Sequence, residues 1–315
     1  MQQLNGRTAI VSGGAEGIGL GIAQVLGRHG MNVVLADINA EQLEKARLSL
    51  EALGIPVLAV TLDVADTTQW NAVAHQALER FGKVHMLVNN AGVGGAPGPV
   101  DSATERDWRW IVDVNLMGVV YGAQTMIPLI KAHGEGGWLI NVASMAGFIP
   151  LPMASAYSAT KAAVVSMSEC WHTELQEHNI HVSVLCPGFV KTRINLSQRN
   201  KQSQYQSDEN TAGISAKDAE LSSMMQSVID AGTSPQLIGD RVVEAIAARE
   251  LHIITHPNFR PAVQAHFDSI NQAFKRAESS PLLADIVKQK IPGQTRRGVY
   301  PQDRDDEPGD QLQDQ

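Results

Sequence analysis

TAIVSGGAEGIG, residues 8–19, runs five strand-forming residues, Thr8 to Ser12, directly into a glycine-rich turn that opens a helix. Six further short apolar runs follow: NVVLAD (32–37), VLAVTLD (57–63), VHMLVNN (84–90), WLINVAS (138–144), VSVLCP (182–187) and HIIT (252–255). They are apolar on both faces, and amphipathic stretches of helical period separate the early ones. That combination predicts a parallel seven-stranded sheet covered by helices on both faces, a doubly wound α/β fold closed by right-handed crossovers. No internal repeat is apparent.

The turn itself, SGGAEGIG (12–19), has the spacing G-x-x-x-G-x-G at Gly13, Gly17 and Gly19, with Ser12 and Ile18 beside them. Glycine lets the backbone approach a pyrophosphate closely, and the helix N-terminus offers it unpaired N–H groups and positive dipole. Asp37 ends the second strand, where a carboxylate can accept hydrogen bonds from an adenosine ribose. The same carboxylate would repel a 2′-phosphate by about 4 kcal/mol at about 4 Å and an effective dielectric of about 20. Glu16 lies inside the turn and adds to that repulsion, so NAD is favoured over NADP. Asp63 and Val64, after the third strand, are positioned to bound an adenine, and Asn90 ends the fourth. AYSATK (156–161) puts Tyr157 and Lys161 one helical turn apart on a shared face. An ammonium there favours the phenolate and should lower the phenol pKa toward the operating pH, which suits a general acid/base. Ser144, just past its strand, can hydrogen-bond a substrate oxygen.

SGGAEGIG, LDV, NNAG, Asn115 in VNLMG, Ser144 in NVAS, Tyr157-x-x-x-Lys161 and PGFVKT (187–192), in this order, resemble the short-chain dehydrogenase/reductase family over residues 4 to 257. The resemblance implies a Rossmann-like sheet and an NAD-dependent oxidoreductase acting on CH–OH groups. It gives Asn115 a water in a proton relay behind Lys161, and Lys161 a further hold on the nicotinamide ribose. Pro187 and Gly188 form the turn from which Val190 and Thr192 hold the carboxamide. Apolar pocket walls are expected at Met145, Phe148, Leu151, Met153 and Phe189, hence a bulky hydrophobic substrate. HIITHPNFRPAVQAHFDSI (252–270) resembles a subgroup that oxidises aryl secondary alcohols, including dehydrogenases of the Cα hydroxyl of lignin-derived aryl ethers. Hydroxysteroid or 3-hydroxyacyl compounds are the alternative substrates. A regulator or scaffold that senses NAD is the non-enzymatic alternative, whose mark would be loss of Ser144, Tyr157 or Lys161; all are present.

The remaining features set limits. With 25 basic and 33 acidic residues, no broad footprint for nucleic acid or an anionic membrane is evident. No apolar run reaches the length of a membrane span and no leader pattern opens the chain, so a cytoplasmic protein is expected. Cys170 and Cys186 read as buried thiols in a reducing compartment, and no metal site is expected among the histidines. The polar run between the sixth strand and about Asp218 reads as a mobile substrate loop, 191–217, within a catalytic domain 1–257. A helical extension (258–300) and an acidic disordered tail (301–315) follow. Members of such a family associate through the long helices that here carry Trp108, Trp110 and Trp171, so a homodimer or homotetramer is expected.

Overall fold

The computed structural model describes residues 4–95, 98–206, 224 and 226–289. All seven expected strands form: β1 (Thr8–Ser12), β2 (Asn32–Asp37), β3 (Val57–Thr61), β4 (Met86–Asn89), β5 (Gly137–Val142), β6 (Ile180–Cys186) and β7 (His252–Ile254). They make a single sheet in the order β3-β2-β1-β4-β5-β6-β7, with every neighbouring pair parallel. The order reverses between β1 and β4, and the crevice outside their carboxyl ends is where folds of this kind bind ligands. The glycine turn after β1 and the Asn90–Gly92 segment after β4 flank that crevice.

Helices α1 (Gly17–Arg28), α2 (Ala40–Glu51), α3 (Thr67–Phe81), α4 (Glu105–Val112), α5 (Gly118–His133), α6 (Ser155–Glu174), α7 (Pro235–Ala248) and α8 (Arg260–Glu278) complete the main elements. Strand alternation sorts the core into two layers. Ala9, Val11, Val33, Leu35, Met86 and Val88 pack with Ile22 and Leu26 of α1, Leu43 of α2 and Val242 of α7. Ile10, Val34 and Leu87 face the other way, toward Trp70 of α3, Trp110 of α4 and Met126 of α5. Each buried Val, Leu, Ile or Met here contributes about 1.5–3 kcal/mol by leaving water, which is why a sheet apolar on both faces needs helices on both. Trp110 is fully buried, while Trp108 and Trp171 pack against the same layer. Trp110 therefore anchors this core rather than an exposed face.

Between α4 and α5 the helix passes through a π-helical turn, Asp113–Met117, that carries Asn115. At the opposite, amino edge of the sheet, the Thr8 N–H donates to His85 Nδ1 at 3.1 Å, and His85 Nε2–H reaches Glu135 at 3.1 Å. His133 accepts from the Glu135 N–H and donates to the Val84 carbonyl. All four ring nitrogens are thus engaged in hydrogen bonds, so this His85–His133–Glu135 group works as a brace for β1 and β4.

Two expectations change. Cys186 is buried, but Cys170 lies on the exposed face of α6. Contacts divide the chain into a unit Met1–His266 and a unit Phe267–Gln315, where a boundary was expected after residue 257. Phe259 and Val263, at the start of α8, pack against the Val164, Val184 and Cys186 cluster of the first unit. The loop expected to be structureless forms two 3-10 turns, Ile194–Asn200 and Ser203–Tyr205, with Ser197 and Tyr205 buried. Its remainder, 207–217, and the acidic tail 301–315 lie outside the described residues. Among the described residues, no helix is long and apolar enough to cross a membrane.

Candidate active site

The glycine turn is fixed from both neighbouring strands. Ser12 Oγ accepts from the Asn90 and Ala91 N–H groups at 3.0 and 3.1 Å. The Asn90 amide donates back to the Ser12 and Gly13 carbonyls, each at 2.9 Å. Gly13 has φ +62°, and a Cβ there would lie 2.8 Å from the Ala91 Cα; one on Gly19 would lie 2.2 Å from the Gly13 carbonyl oxygen. Only glycine fits either position. Asn39, Asp66, Thr104 and Ser234 cap α2, α3, α4 and α7 with their side chains, whereas Glu16 gives α1 no such bond. The first N–H groups of α1 thus keep their capacity for an anion. Asp37, buried at the end of β2, accepts from the Ala15 N–H at 3.1 Å and the Asn39 N–H at 3.0 Å. Burial nonetheless holds its carboxyl above the usual range, against those two bonds. Cradle, uncapped helix and ribose-side carboxylate fit a dinucleotide.

Asp63 and Val64 are less open than expected. Asp63 Oδ1 accepts from the Ala65 N–H and from Gln202 Nε2 at 2.9 Å. The Val64 side chain is buried in the core, and its carbonyl accepts from Trp70 Nε1.

The catalytic candidates converge. Tyr157 and Lys161 lie on α6, with Lys161 Nζ 5.7 Å from the centre of the phenol ring. Lys161 is buried, its Nζ donates to the Val142 carbonyl at 2.9 Å, and burial pushes its pKa down to about 8. Burial pushes the Tyr157 phenol up, opposed by its hydrogen bond with Ser144. The expected downward shift of the phenol is therefore reversed in this state, because desolvation of the anion outweighs the polar neighbour. Ser144 caps the short turn Met145–Gly147 by accepting from the Ala146 N–H at 3.1 Å; its Oγ–H points to the Pro187 carbonyl at 3.5 Å. Asn115 accepts from the Val93 N–H at 2.8 Å and donates to the Val93 carbonyl at 2.9 Å. A Cβ on Gly92 would touch both Asn115 Oδ1 and Lys161 Nζ within 3.5 Å. Asn115 thus braces the segment behind Lys161, with its side chain committed to Val93.

After β6 the Pro187–Thr192 segment returns over the glycine turn. Pro187 accepts from the Met145 N–H at 2.9 Å, Val190 bridges Thr233, and the Thr192 side chain lies against Gly17. The chain then straps across the crevice. Arg193 and Arg199 both pair with Glu16, Ser197 accepts from the Gly94 N–H, Lys201 pairs with Asp107, and the Tyr205 hydroxyl donates to Asp113. Glu16 is therefore no free negative charge. Sequence reasoning missed these ties because partners such as Glu16 and Arg199 stand far apart in the chain.

A cleft beside the catalytic candidates is lined by Gly94, Trp108, Ile111, Met153, Ala156 and Tyr157, among others. Of the five expected pocket walls, Met153 alone lines it. Met153 has φ +66°, an unusual backbone for a side-chain-bearing residue, with its carbonyl held by the Gly98 N–H. Met145 and Phe148 instead join the packing cluster around Val164 and Cys186, and Leu151 and Phe189 are exposed. Trp108, Ile111 and Ala156, which the sequence does not single out as pocket walls, line this cleft.

A nucleotide cradle at the switch point, with Ser144, Tyr157 and Lys161 gathered beside it, defines a nicotinamide-dependent dehydrogenase. The family model described as short chain dehydrogenase matches residues 7–203, and the chain belongs to that family. It is an oxidoreductase acting on CH–OH groups. The chain is 32% identical over 281 residues to the C alpha-dehydrogenase of Sphingobium sp. (strain NBRC 103272 / SYK-6), covering 89% of this chain and 90% of that protein. A short chain dehydrogenase/reductase from Burkholderia phymatum, solved in complex with NAD, superposes with a TM-score of 0.82 at 33% identity, over 87% of this chain and 97% of that one. The apo form of LigD from Sphingobium sp. strain SYK-6 gives 0.71 at 30% identity, over 85% and 97%.

Proposed function

We propose that this enzyme interconverts a bulky aryl secondary alcohol and its ketone with NAD, Tyr157 serving as general acid/base. The observation that carries this reading is the cleft itself, in which the Tyr157 side chain shares one wall system with Trp108, Ile111 and Met153. Apolar and aromatic walls beside the Tyr157 phenol, with Asp107 and Ser155 as the other polar lining residues, favour a substrate with a hydrophobic body and a reacting oxygen. The similarity to a C alpha-dehydrogenase supports the same choice.

Nicotinamide, when bound, supplies the hydride acceptor or donor. In oxidation the Tyr157 oxygen takes the carbinol proton, and in reduction it returns one to the carbonyl oxygen. Ser144 has one lone pair filled by the Ala146 N–H, while its proton, facing the Tyr157 phenol and making only a long 3.5 Å contact to Pro187, can turn toward the substrate oxygen. The Lys161 ammonium, held near the ring, favours the phenolate electrostatically. The test of substrate class is a panel of secondary alcohols with NAD. Aryl carbinols should exceed open-chain polyols in kcat/KM by at least about tenfold, or roughly 1.4 kcal/mol. A preference for polyols, steroids or 3-hydroxyacyl compounds would displace the aryl assignment.

The choice of NAD over NADP rests on Asp37, since Arg193 and Arg199 offset the charge of Glu16. Wild-type kcat/KM should be higher with NAD. Asp37→Ala should narrow the gap by about tenfold or more by removing repulsion of the 2′-phosphate. A wild type that prefers NADP overturns this reading.

A further inference from the structure

We propose that His256 is a positioning residue for the cofactor, holding the Pro187–Thr192 turn that carries the nicotinamide anchor; the proposal rests on that turn being the anchor.

His256 follows β7 and reaches back across the sheet edge to the turn after β6. The Gly188 N–H donates to His256 Nδ1 at 3.1 Å, and Nε2 lies 3.1 Å from the Phe189 carbonyl oxygen. A backbone N–H can only donate and a carbonyl can only accept, so the ring must carry its proton on Nε2. Two neighbouring hydroxyls share these nitrogens in the same tautomer: Thr255 Oγ1, 2.7 Å from Nδ1, shares the Nδ1 lone pair with the Gly188 N–H, and Thr233 Oγ1, 3.2 Å from Nε2, shares the Nε2 proton with the Phe189 carbonyl. One imidazole therefore fixes two consecutive backbone groups of the turn with opposite polarity.

The fit is also steric. A Cβ on Gly188 would sit 2.9 Å from His256 Cγ and 3.1 Å from Phe259 Cε2, so the ring lies directly on the glycine backbone. Phe259 meets His256 edge-on, with centroids 6.2 Å apart, and holds the ring in place. From the fixed turn, two lines of contact run into the site. Pro187 accepts from the Met145 N–H and faces the Ser144 hydroxyl. Phe189 accepts from the Thr233 N–H, and the Val190–Thr233 bridge sets the direction in which Thr192 reaches Gly17. His256 touches neither substrate nor the catalytic trio, yet Ser144 and Thr192 both hang from the segment it holds.

The test compares His256→Phe, which keeps a ring but loses both hydrogen bonds, with His256→Asn, which keeps a short side chain able to accept from the Gly188 N–H. Thr192→Ala serves as a control on the anchor. NADH binding is read by fluorescence titration, unliganded stability by thermal melting, and kcat and KM for NAD separately. His256→Phe should weaken NADH binding about fivefold or more and lower kcat/KM for NAD about tenfold or more, as expected for losing hydrogen bonds to a half-buried turn. Its melting temperature should stay close to wild type, and His256→Asn should recover part of the binding. If Thr192→Ala weakens NADH binding while His256→Phe stays within about twofold of wild type, the positioning role is wrong. If both variants bind like wild type, the anchor reading fails and the proposal with it. If His256→Phe melts much lower and His256→Asn rescues nothing, His256 is a packing residue and the proposal is overturned.

Discussion

Tyr157→Phe is expected to lower kcat by at least about a hundredfold while leaving NADH binding within about twofold of wild type. The substitution removes one oxygen and keeps the ring that Lys161 faces, so the crevice and the glycine turn are untouched. What disappears is the transferable proton and the hydrogen bond with Ser144. Burial pushes the phenol up in this state, so the tyrosine holds its proton at neutral pH. Turnover in the oxidative direction should therefore rise with pH as the phenolate becomes accessible. That rise should vanish in the variant, which has no group to titrate there. A variant that keeps more than about a tenth of wild-type kcat would remove Tyr157 from the acid/base role.

Lys161→Met is expected to cost at least about a hundredfold in kcat and, unlike an ordinary core substitution, to leave the fold no less stable at neutral pH. The Lys161 ammonium is buried, with a hydrogen bond to the Val142 carbonyl and a pKa pushed down to about 8. The unfolded chain binds this proton more tightly than the folded one, so the group's penalty is fully present below about pH 8. It is relieved as pH rises toward the ordinary lysine value of 10.5. The full penalty is about 3 kcal/mol. Cys186 works the other way: burial pushes its thiol up to about 12, so it costs stability as pH rises above its ordinary value of 9.0. The difference between wild type and variant reports the lysine together with its charge coupling to Cys186, and it should shrink from pH 8 toward 10.5 in denaturant titrations. A variant that is inactive because it unfolds would instead make Lys161 a structural anchor.

Much of this architecture was legible because its signals are local. The run 8–19 contains strand, turn and helix start in sequence, and the glycines of that turn leave no room for other residues. Tyr157 and Lys161 are one helical turn apart, so their common face follows from period alone. Other features depend on partners distant in the chain. Residues 193–206 of the polar run have no apolar period, yet they are tied to Glu16, Asp63, Asp107 and Asp113, which no local pattern pairs with them. Apolar character could not tell Phe148, which turns into the core, from Met153, which lines the cleft. The sign of the Tyr157 shift required knowing how deeply the phenol is buried, which spacing to a lysine does not contain.

The most direct measurement is growth of the reduced-nicotinamide absorbance band when enzyme, NAD and an aryl secondary alcohol are mixed, with the Tyr157→Phe protein run alongside at equal concentration. The expected result is steady formation of NADH and of the matching ketone in equal amounts by the wild type, and a rate at least about a hundredfold lower for the variant. No NADH from any secondary alcohol in the panel, or equal rates from the two proteins, would contradict hydride transfer through a Tyr157 acid/base.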